Sequence, residues 1–423
     1  MTTFDPSIET ARSLDASDAL AGWRDRFLCP DRDGQRVIYF CGNSLGLQPD
    51  TTRDALLTEL DDWARLGVDG HFEARNPWFS YHTLVEGPTA RLVGAIDREV
   101  VVMNALTVNL NLLMVSFYRP EGTRFKVMME ADAFPSDHYA VQEQVRFHGY
   151  DPDEAIVLLE PRTGEHALRD DDILEAIDHH GPDLALVMLG GVNYKTGQFF
   201  DLEAITRTGQ ARGAIVGFDL AHAIGNVPLH LHDWNVDFAT WCSYKYLNSG
   251  PGGVSGIFVH ERFARDFDRP RFAGWWGHDE DERFKMDRRF KPMTGAEGWQ
   301  MSNAPVLAMA AYKASVERFD AVGMDALRAK SIELTGYLES LLAARLGDRI
   351  DVLTPRAPHR RGCQLSLAVR GDRDAGRALF DALTREHVVA DWREPNVIRV
   401  APVPFYNSFT DVWTFVDILA RTA

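Results

Sequence analysis

Cysteine is scarce in this chain, with only four among 423 residues. The four lie far apart and form no CxxC pair: Cys29, Cys41, Cys242 and Cys363. This spacing argues against a disulfide framework and against a zinc cluster, and it fits the reducing cytoplasm. The polar, acidic N-terminal segment also lacks the apolar stretch of a secretory signal peptide, so we expect a cytoplasmic protein.

Positive charge and long apolar runs are lacking as well. The chain has 45 Lys and Arg against 62 Asp and Glu, a formal net charge of −17. An acidic surface repels nucleic-acid backbones and anionic lipids, so we expect neither nucleic acid nor a membrane as a partner. No segment approaches the roughly 18 uncharged apolar residues of a membrane-spanning helix. A small-molecule ligand stays compatible with this composition.

Apolar segments alternate with amphipathic helical patterns through the middle of the chain. The segments that predict buried strands are 124–130, 154–160, 183–192, 213–220, 237–242 and 255–260. Their apolar residues are continuous, which is typical of a mostly parallel sheet covered by helices on both faces. Beyond this region the pattern changes to long helices and shorter strands. We therefore predict an α/β fold with a large domain over 50–305 and a smaller α+β domain over 1–49 and 306–423.

One lysine lies in a segment too apolar and aromatic for an ordinary surface loop. The segment WCSYKYLNSGPGG (241–253) places Lys245 between two tyrosines and ahead of a glycine- and proline-rich run. Upstream, GAIVGFDLAHAIG (213–225) places Asp219 at the end of a predicted strand, with His222 just after it. Ligands of open α/β sheets bind beyond the carboxyl ends of the strands. We therefore expect Asp219 and Lys245 to reach one small aromatic molecule.

Pyridoxal 5′-phosphate (PLP) is a cofactor that needs such a pair. Its aldehyde forms a Schiff base with a lysine, and a carboxylate keeps its ring nitrogen protonated. Its phosphate needs helix N-terminal amides and a hydroxyl, which Leu106 and Thr107 supply at the start of a predicted amphipathic helix. Phe134 offers an aromatic face for the ring, and Asp137 follows as the predicted cap of the next helix.

Each of these residues also has an ordinary structural explanation when it is taken alone. Asp219 suits a strand-end cap, and His222 suits a hydrogen-bonded, partly buried histidine. Thr107 suits a routine helix start, and Phe134 suits the core. The cofactor hypothesis therefore depends on the whole set and on its order along the chain.

The segment HLHDW (230–234) has metal-ligating residues, but no second ligand cluster accompanies it, so we predict no metal site.

At this point the chain resembles the kynureninase family, which consists of fold-type-I PLP enzymes. The matching segments span nearly the whole chain: YFCGNSLGLQP (39–49), NALTVNL (104–110), AFPSDHYA (133–140), TGQ (196–198), residues 217–253, GWWGH (274–278), QMSNAPV (300–306) and IRVAPVPFYNSF (398–409). The resemblance implies the PLP-dependent transferase fold, which is like that of aspartate aminotransferase and the class V enzymes. It also implies hydrolysis of L-kynurenine or 3-hydroxykynurenine in tryptophan catabolism, giving anthranilate or 3-hydroxyanthranilate and L-alanine.

The resemblance further implies a role for each matched residue. Lys245 is similar to the lysine that holds the cofactor, and Asp219 to the partner of the ring nitrogen. Tyr244 resembles a tyrosine that reaches the phosphate and transfers protons, and Arg399 resembles the arginine that binds the substrate α-carboxylate. The remaining matches are cofactor contacts at Leu106, Thr107, Phe134, Asp137, His222, Trp275 and Asn303 and substrate contacts at Ser44, His71 and Asn303.

Two of these matches imply an oligomer. In the fold that the chain resembles, the contacts corresponding to Trp275 and Asn303 come from the second subunit. The resemblance therefore implies a homodimer with shared active sites. One position departs from the family pattern, because Gly190 stands where members often carry a hydroxyl residue. We assign no cofactor contact to that position.

Two other functions stay open on the sequence. The first is another fold-type-I PLP enzyme, either a cysteine desulfurase or a class V aminotransferase. A desulfurase needs a mobile nucleophilic cysteine, for which Cys363 is poorly placed in a predicted strand. The second is a catalytically silent binder with a PLP fold, which has no need of Lys245, Asp219 and Arg399 together.

Overall fold

The structure is a computed structural model that describes residues 4–422. Its α-helices are α1 (Ile8–Ser17), α2 (Thr52–Leu66), α3 (Gly70–Glu73), α4 (Thr83–Val93), α5 (Leu106–Phe117), α6 (Pro135–Phe147), α7 (Pro152–Ala155), α8 (Asp170–His180), α9 (Leu202–Ala211), α10 (Val306–Val322), α11 (Met324–Leu346), α12 (Arg373–Arg385) and α13 (Phe409–Thr422). Its strands are β1 (Phe27–Leu28), β2 (Asp31–Arg32), β3 (Gln35–Arg36), β4 (Ile38–Tyr39), β5 (Gln48–Pro49), β6 (Val100–Val102), β7 (Lys126–Glu130), β8 (Ile156–Leu159), β9 (Leu184–Gly190), β10 (Ile215–Asp219), β11 (Phe238–Trp241), β12 (Gly256–Val259), β13 (Ile350–Val352), β14 (Leu365–Val369), β15 (Val388–Val389), β16 (Asp391–Arg393) and β17 (Val397–Val400).

The larger sheet has seven strands in the order β6–β12–β11–β10–β9–β7–β8. Strand β12 runs antiparallel to both of its neighbours, and the other neighbouring pairs are parallel. This confirms the predicted mostly parallel sheet, and each of the six predicted apolar segments forms one strand. The sequence pattern misses β6, because a run of three valines is too short to stand out as a strand.

The larger sheet is buried on both faces, which explains its continuously apolar strands. In β9, Leu186 and Met188 belong to one buried cluster, whereas the alternating residues Val187 and Leu189 belong to another. Successive side chains of a strand point to opposite faces, so both faces of β9 must be apolar. Gly217 in β10 is required for close packing, because a Cβ there would lie 2.2 Å from the Phe238 ring on β11.

The smaller sheet has four strands in the order β13–β14–β17–β16, and every neighbouring pair is antiparallel. Its buried cluster includes Leu334 and Leu338 from α11, Phe415 from α13, and Ala11 and Phe40 from the N-terminal region. None of the helices within residues 4–422 combines the length and the apolar character that crossing a bilayer requires.

The loop between β9 and α9 is bound to the smaller sheet through three consecutive carbonyls. Gln364 Nε2 donates to the Tyr194 carbonyl at 3.0 Å, and Arg399 donates to the same oxygen. Ser366 Oγ donates to the Lys195 carbonyl at 2.6 Å. Thr354, two residues after the end of β13, donates through its hydroxyl to the Thr196 carbonyl at 2.5 Å. These bonds fix the smaller sheet against the carboxyl edge of the larger one.

Candidate active site

A cavity of about 400 Å³ opens at the carboxyl edge of the larger sheet. The predicted site residues that line it are Ser44, Leu106, Thr107, Phe134, Asp137, Asp219, His222, Tyr244, Lys245 and Arg399. Because β10 ends at Asp219 and β11 leads into Tyr244 and Lys245, the order of the parallel strands brings these residues to one edge. Arg399 reaches the cavity from β17 of the smaller sheet.

Lys245 lies against the buried imidazole of His222. Its Nζ is 3.1 Å from His222 Nε2, 5.9 Å from the centre of the Phe134 ring and 5.8 Å from that of Tyr244. Burial, together with the charge of Lys245, holds the pKa of His222 well below its usual range. The imidazole is therefore neutral, and its Nε2 can accept a hydrogen bond from Lys245 Nζ. Its other nitrogen, Nδ1, is buried and has no hydrogen-bond partner within residues 4–422.

Two buried carboxyl groups, Asp219 and Asp137, lie beside each other in the cavity wall. Burial raises the pKa of both, and the charge of Asp219 raises the pKa of Asp137 further. Lys245 and the Ala221 N–H, which donates to Asp219 Oδ1 at 2.7 Å, partly offset the effect of burial on Asp219. Of the two carboxyl groups, Asp137 has the more strongly raised pKa, and the pKa of Asp219 is held down relative to it.

Two helix N-termini meet at the opposite side of the cavity. Leu106 and Thr107 open α5, and the Thr107 hydroxyl lies 2.8 Å from that of Ser136 in the first turn of α6. Free backbone amides at helix N-termini and adjacent hydroxyls together favour a phosphate group. The predicted cap is wrong in detail: Phe134 is the N-cap of α6 and Asp137 lies in its first turn, because Pro135 opens the helix.

Arg399 is almost fully buried, with 1% of its surface exposed. It donates to the carboxylate of Asp391, its cross-strand neighbour on β16, and to the Tyr194 carbonyl. Its Nε is buried and has no partner among the described residues. The sequence reasoning missed three residues that line or support this corner: Arg393, Tyr194 and Asp391.

Glu130 is a further cavity residue that the sequence reasoning missed, and it explains the space at Gly190. A Cβ at Gly190 would lie 2.8 Å from Glu130 Oε1, and the Gly190 N–H donates to that oxygen at 3.3 Å. Asn193 Nδ2 donates to Glu130 Oε2 at 3.0 Å. Burial raises the pKa of Glu130 to about 7. The carboxyl of Glu130 therefore occupies the place that a side chain at position 190 would need.

Three predicted site residues do not line the cavity: His71, Trp275 and Asn303. His71 packs edge-on against Trp78, with 5.6 Å between the ring centres. Trp275 is 46% exposed and donates through Nε1 to the Arg283 carbonyl at 3.2 Å, and Asn303 is exposed. Contacts of these residues to a site in the same subunit are therefore absent within residues 4–422.

The segment after His71 is held by a buried carboxylate, Glu59. It accepts hydrogen bonds from Asn76 Nδ2 at 2.7 Å, from Trp78 Nε1 at 3.0 Å and from the Tyr81 hydroxyl at 3.0 Å. Three donors on one carboxylate fix Trp78, against which His71 packs. Glu59 is thus a structural determinant of where His71 lies.

His232 of the HLHDW segment does have further ligand-type residues beside it. Glu99 and His260 lie close enough to share one ion with it, whereas His230 packs instead on Trp234. However, Glu99 accepts from His232 Nδ1 at 3.0 Å and from the Glu261 N–H at 2.7 Å. These hydrogen bonds already account for the carboxylate, and the absence of metal at this position stays a prediction.

Comparison with known proteins shows the family of this chain. A family model described as the kynureninase C-terminal domain matches residues 327–419. A kynureninase of Myxococcus xanthus is 57% identical over 417 residues, which cover 98% of this chain and 97% of the relative. One of Koribacter versatilis is 55% identical over 415 residues, with 98% and 97% covered. The chain belongs to the kynureninase family.

Solved structures show the wider fold to which this kynureninase family member belongs. A cysteine desulfurase of Escherichia coli superposes with a TM-score of 0.76 at 16% identity and covers 100% of this chain and 99% of that one. A cystine C–S lyase superposes with a TM-score of 0.75 at 16% identity, with 92% and 98% covered. These neighbours confirm the predicted fold class, but at this identity they indicate the fold alone.

The alternative of a cysteine desulfurase is not favoured. Cys363 is buried, and burial raises the pKa of its thiol to about 12. A thiol in that state is neither exposed nor nucleophilic. Relatives more than half identical over nearly the whole chain are kynureninases, whereas the desulfurase is 16% identical.

Proposed function

We propose that the cavity around Lys245 is the active site in which this enzyme hydrolyses the Cβ–Cγ bond of L-kynurenine, or of 3-hydroxykynurenine, to release an anthranilate and L-alanine. Membership of the kynureninase family confirms the predicted reaction and the predicted PLP cofactor. The observation that carries the assignment to this cavity is the meeting of Lys245, Asp219 and Arg399, which come from two different sheets.

The residues of the cavity fit PLP on several counts. Lys245 supplies a primary amine, and the carboxylate of Asp219, whose pKa is lowered by Lys245 and by the Ala221 N–H against the effect of burial, supplies a counter-charge for a ring nitrogen. His222 Nδ1, which has no partner among residues 4–422, offers a buried hydrogen-bonding atom, and Phe134 offers an aromatic face. Phosphate oxygens suit the Thr107 and Ser136 hydroxyls and the amides of the two helix starts. When bound, PLP supplies an electron sink that protein side chains lack.

The enzyme's own side chains then divide the work of binding and proton transfer. Arg399 binds the α-carboxylate of the substrate and so fixes the α-carbon within reach of Lys245. Lys245 Nζ removes the α-proton and holds it for return, and the neutral His222 accepts a hydrogen bond from it. Burial raises the pKa of Tyr244, so its hydroxyl stays protonated and can donate a proton to the β-carbon as the Cβ–Cγ bond breaks. Water that adds to the γ-carbonyl supplies the second oxygen of the anthranilate carboxyl group.

Reconstitution followed by an activity assay tests this proposal. Purified protein loaded with PLP should turn L-kynurenine into anthranilate, followed by its fluorescence, and into an equal amount of L-alanine. A preparation that binds PLP but forms neither product would contradict the proposed reaction. Lys313→Ala provides a matched control, because Lys313 lies on α10 and pairs with Glu317 at 2.6 Å, outside the cavity. It should retain full activity.

We further propose that the enzyme is a homodimer in which Trp275 and Asn303 complete the site of the partner subunit. Supporting this, both residues are exposed and lie outside the cavity of their own chain. Phe79 stacks between Phe72 and Phe284, and Phe284 meets Trp275 edge-on, with neighbouring ring centres 5.5 to 5.6 Å apart. Phe72, Phe284 and Trp275 are exposed. Exposed apolar patches of this kind mark interaction surfaces.

Subunit complementation tests the shared site. A mixture of Lys245→Ala and Trp275→Ala subunits contains mixed dimers with one intact site, so its activity should exceed the sum of the two variants alone. Simple additivity after subunit exchange, or a monomer in sedimentation, would refute the shared site.

We also propose the two-domain division at residues 49/50 and 305/306 and a cytoplasmic location. The buried apolar cluster that joins Ala11 and Phe40 to α11 and α13 supports the domain division. The four cysteines without disulfide bonds support a reducing, cytoplasmic location.

A further inference from the structure

A second arginine, Arg393, shares the corner of the cavity with Arg399. Both line the cavity, and their guanidinium carbons lie 5.9 Å and 5.8 Å from the centre of the same Tyr194 ring. Both also bind one carboxylate: Arg393 donates to Asp391 Oδ2 at 3.2 Å, and Arg399 donates to the same oxygen. The side chain of Arg393 is 40% exposed, so it forms the solvent-facing half of this pair.

The two guanidinium groups have donors that the protein leaves unused. A guanidinium has five N–H groups and no acceptor. Arg399 donates to Asp391 and to the Tyr194 carbonyl, yet its Nε is buried without a partner within residues 4–422. The Nε of Arg393 is likewise buried without a partner in the described chain. Buried N–H groups are costly to leave unpaired, so an acceptor that binds in this corner can satisfy two of them at once.

The charges of this corner also fit a single added carboxylate. Two guanidinium groups face one carboxylate, Asp391, which leaves an excess of one positive charge. Both arginines line the cavity that also contains Lys245. An anion bound between them would therefore share that cavity with the amine of Lys245.

We propose that Arg393 is a second ligand of the substrate α-carboxylate, which binds between Arg393 and Arg399 while Asp391 holds both guanidinium groups in place. This inference rests on the proposed function, in which Arg399 binds that carboxylate. It assigns to Arg393 a binding role specific to the carboxylate: the ligand's amine and ring make no use of it.

The test compares ligands that differ only in the carboxylate. Arg393→Gln holoenzyme is titrated with L-alanine and with ethylamine, following the visible spectrum of bound PLP, and KM and kcat are measured with L-kynurenine. Losing charge-assisted hydrogen bonds to one carboxylate should raise KM, and the Kd for L-alanine, by about 10- to 100-fold. The Kd for ethylamine and kcat should change little. Arg393→Lys should lie between, because an ammonium group keeps the charge but not the planar fork.

Arg373→Gln is the matched control, since Arg373 on α12 pairs with Glu394 at 2.7 Å beside Arg393 but lies outside the cavity. It should leave every constant unchanged. If Arg393→Gln weakens the binding of L-alanine and of ethylamine equally, Arg393 only supports the structure. If the Kd for L-alanine is unchanged, Arg393 does not contact the carboxylate. Either result overturns the inference. A wild-type protein that binds L-alanine but releases no anthranilate from L-kynurenine would instead overturn the proposed function, because the ligand comparison needs no turnover.

Discussion

Replacing Arg399 by leucine tests the carboxylate site most directly. Arg399 is 1% exposed and is fixed from two sides, by Asp391 and by the Tyr194 carbonyl, so its remaining donors are held ready for a ligand. A hydrogen bond to a charged group contributes about 1.5–3 kcal/mol. Losing two such bonds removes roughly 3–6 kcal/mol of substrate-binding free energy, and the contact with Arg393 should retain part of that energy. We therefore expect KM for L-kynurenine to rise by about 100-fold or more, at about 1.4 kcal/mol per factor of ten.

The measurement is steady-state anthranilate fluorescence over a wide range of L-kynurenine concentrations, with kcat fitted separately. Asp391 keeps its bond to Arg393 at 3.2 Å in the variant, so the corner does not gain an unpaired buried carboxylate. Thermal unfolding of the variant checks this directly. A well-folded Arg399→Leu enzyme with the KM of the wild type would refute the assigned role. A loss confined to kcat would refute it too, because the carboxylate contact is made before and during the reaction.

The remaining predictions concern the cofactor, the stability of the His71 region and the pH dependence of folding. Lys245→Ala should lose the visible absorbance of covalently bound PLP, and its kcat should fall by at least about 1,000-fold, since general acid–base catalysis alone contributes up to about 10⁴-fold. The Lys313→Ala control should keep both the absorbance and the activity. A Lys245→Ala variant that stays coloured and active would contradict the role assigned to Lys245. Glu59→Ala should lower the free energy of unfolding by about 3 kcal/mol or more, because three donors, one of them fully buried, lose their acceptor; a loss below about 1 kcal/mol in urea unfolding would contradict this. Burial and the neighbouring Glu297 raise the pKa of Glu86 to about 8. Between about pH 5 and about pH 8, the folded chain keeps a proton on Glu86 that the unfolded chain has released. The free energy of unfolding should therefore fall as the pH rises from about 5 to about 8. Glu86→Gln should flatten that decline, and parallel Tm profiles of variant and wild type would show that Glu86 is not its cause.

The larger sheet and the residues at its edge were open to prediction because both follow from local sequence. Continuous apolar strands fix their burial, and parallel pairing brings Asp219 and Lys245 to the same edge however long the connection between them. Strand β6 escaped prediction because Val100–Val102 is paired through an antiparallel neighbour that its own three residues do not reveal.

The corner around Arg399 was beyond sequence reasoning for a different reason. Asp391 comes opposite Arg399 only through the register of β16 and β17, and Tyr194 arrives from a loop of the other sheet. Arg393 and Arg399 lie on two strands separated by residues 394–396, so their spacing in the sequence does not show that they share a face of the sheet. Glu130 was missed because a single acid at the end of an apolar strand looks like a solvent-facing terminus. His71, Trp275 and Asn303 were identified by family resemblance, and nothing in one chain places them near Lys245.

The three carbonyls of Tyr194, Lys195 and Thr196, each held by a side chain of the smaller sheet, have a consequence for the choice of substrate. They make the span from Lys245 to Arg399 a fixed length, since neither side can slide without breaking several bonds. A ligand whose amine and acid groups are attached to the same carbon fits that span in one way. A homologue with one more methylene between the two groups has to bend or leave one end unbound, so we expect the enzyme to bind α-amino acids more tightly than β-amino acids with the same side chain.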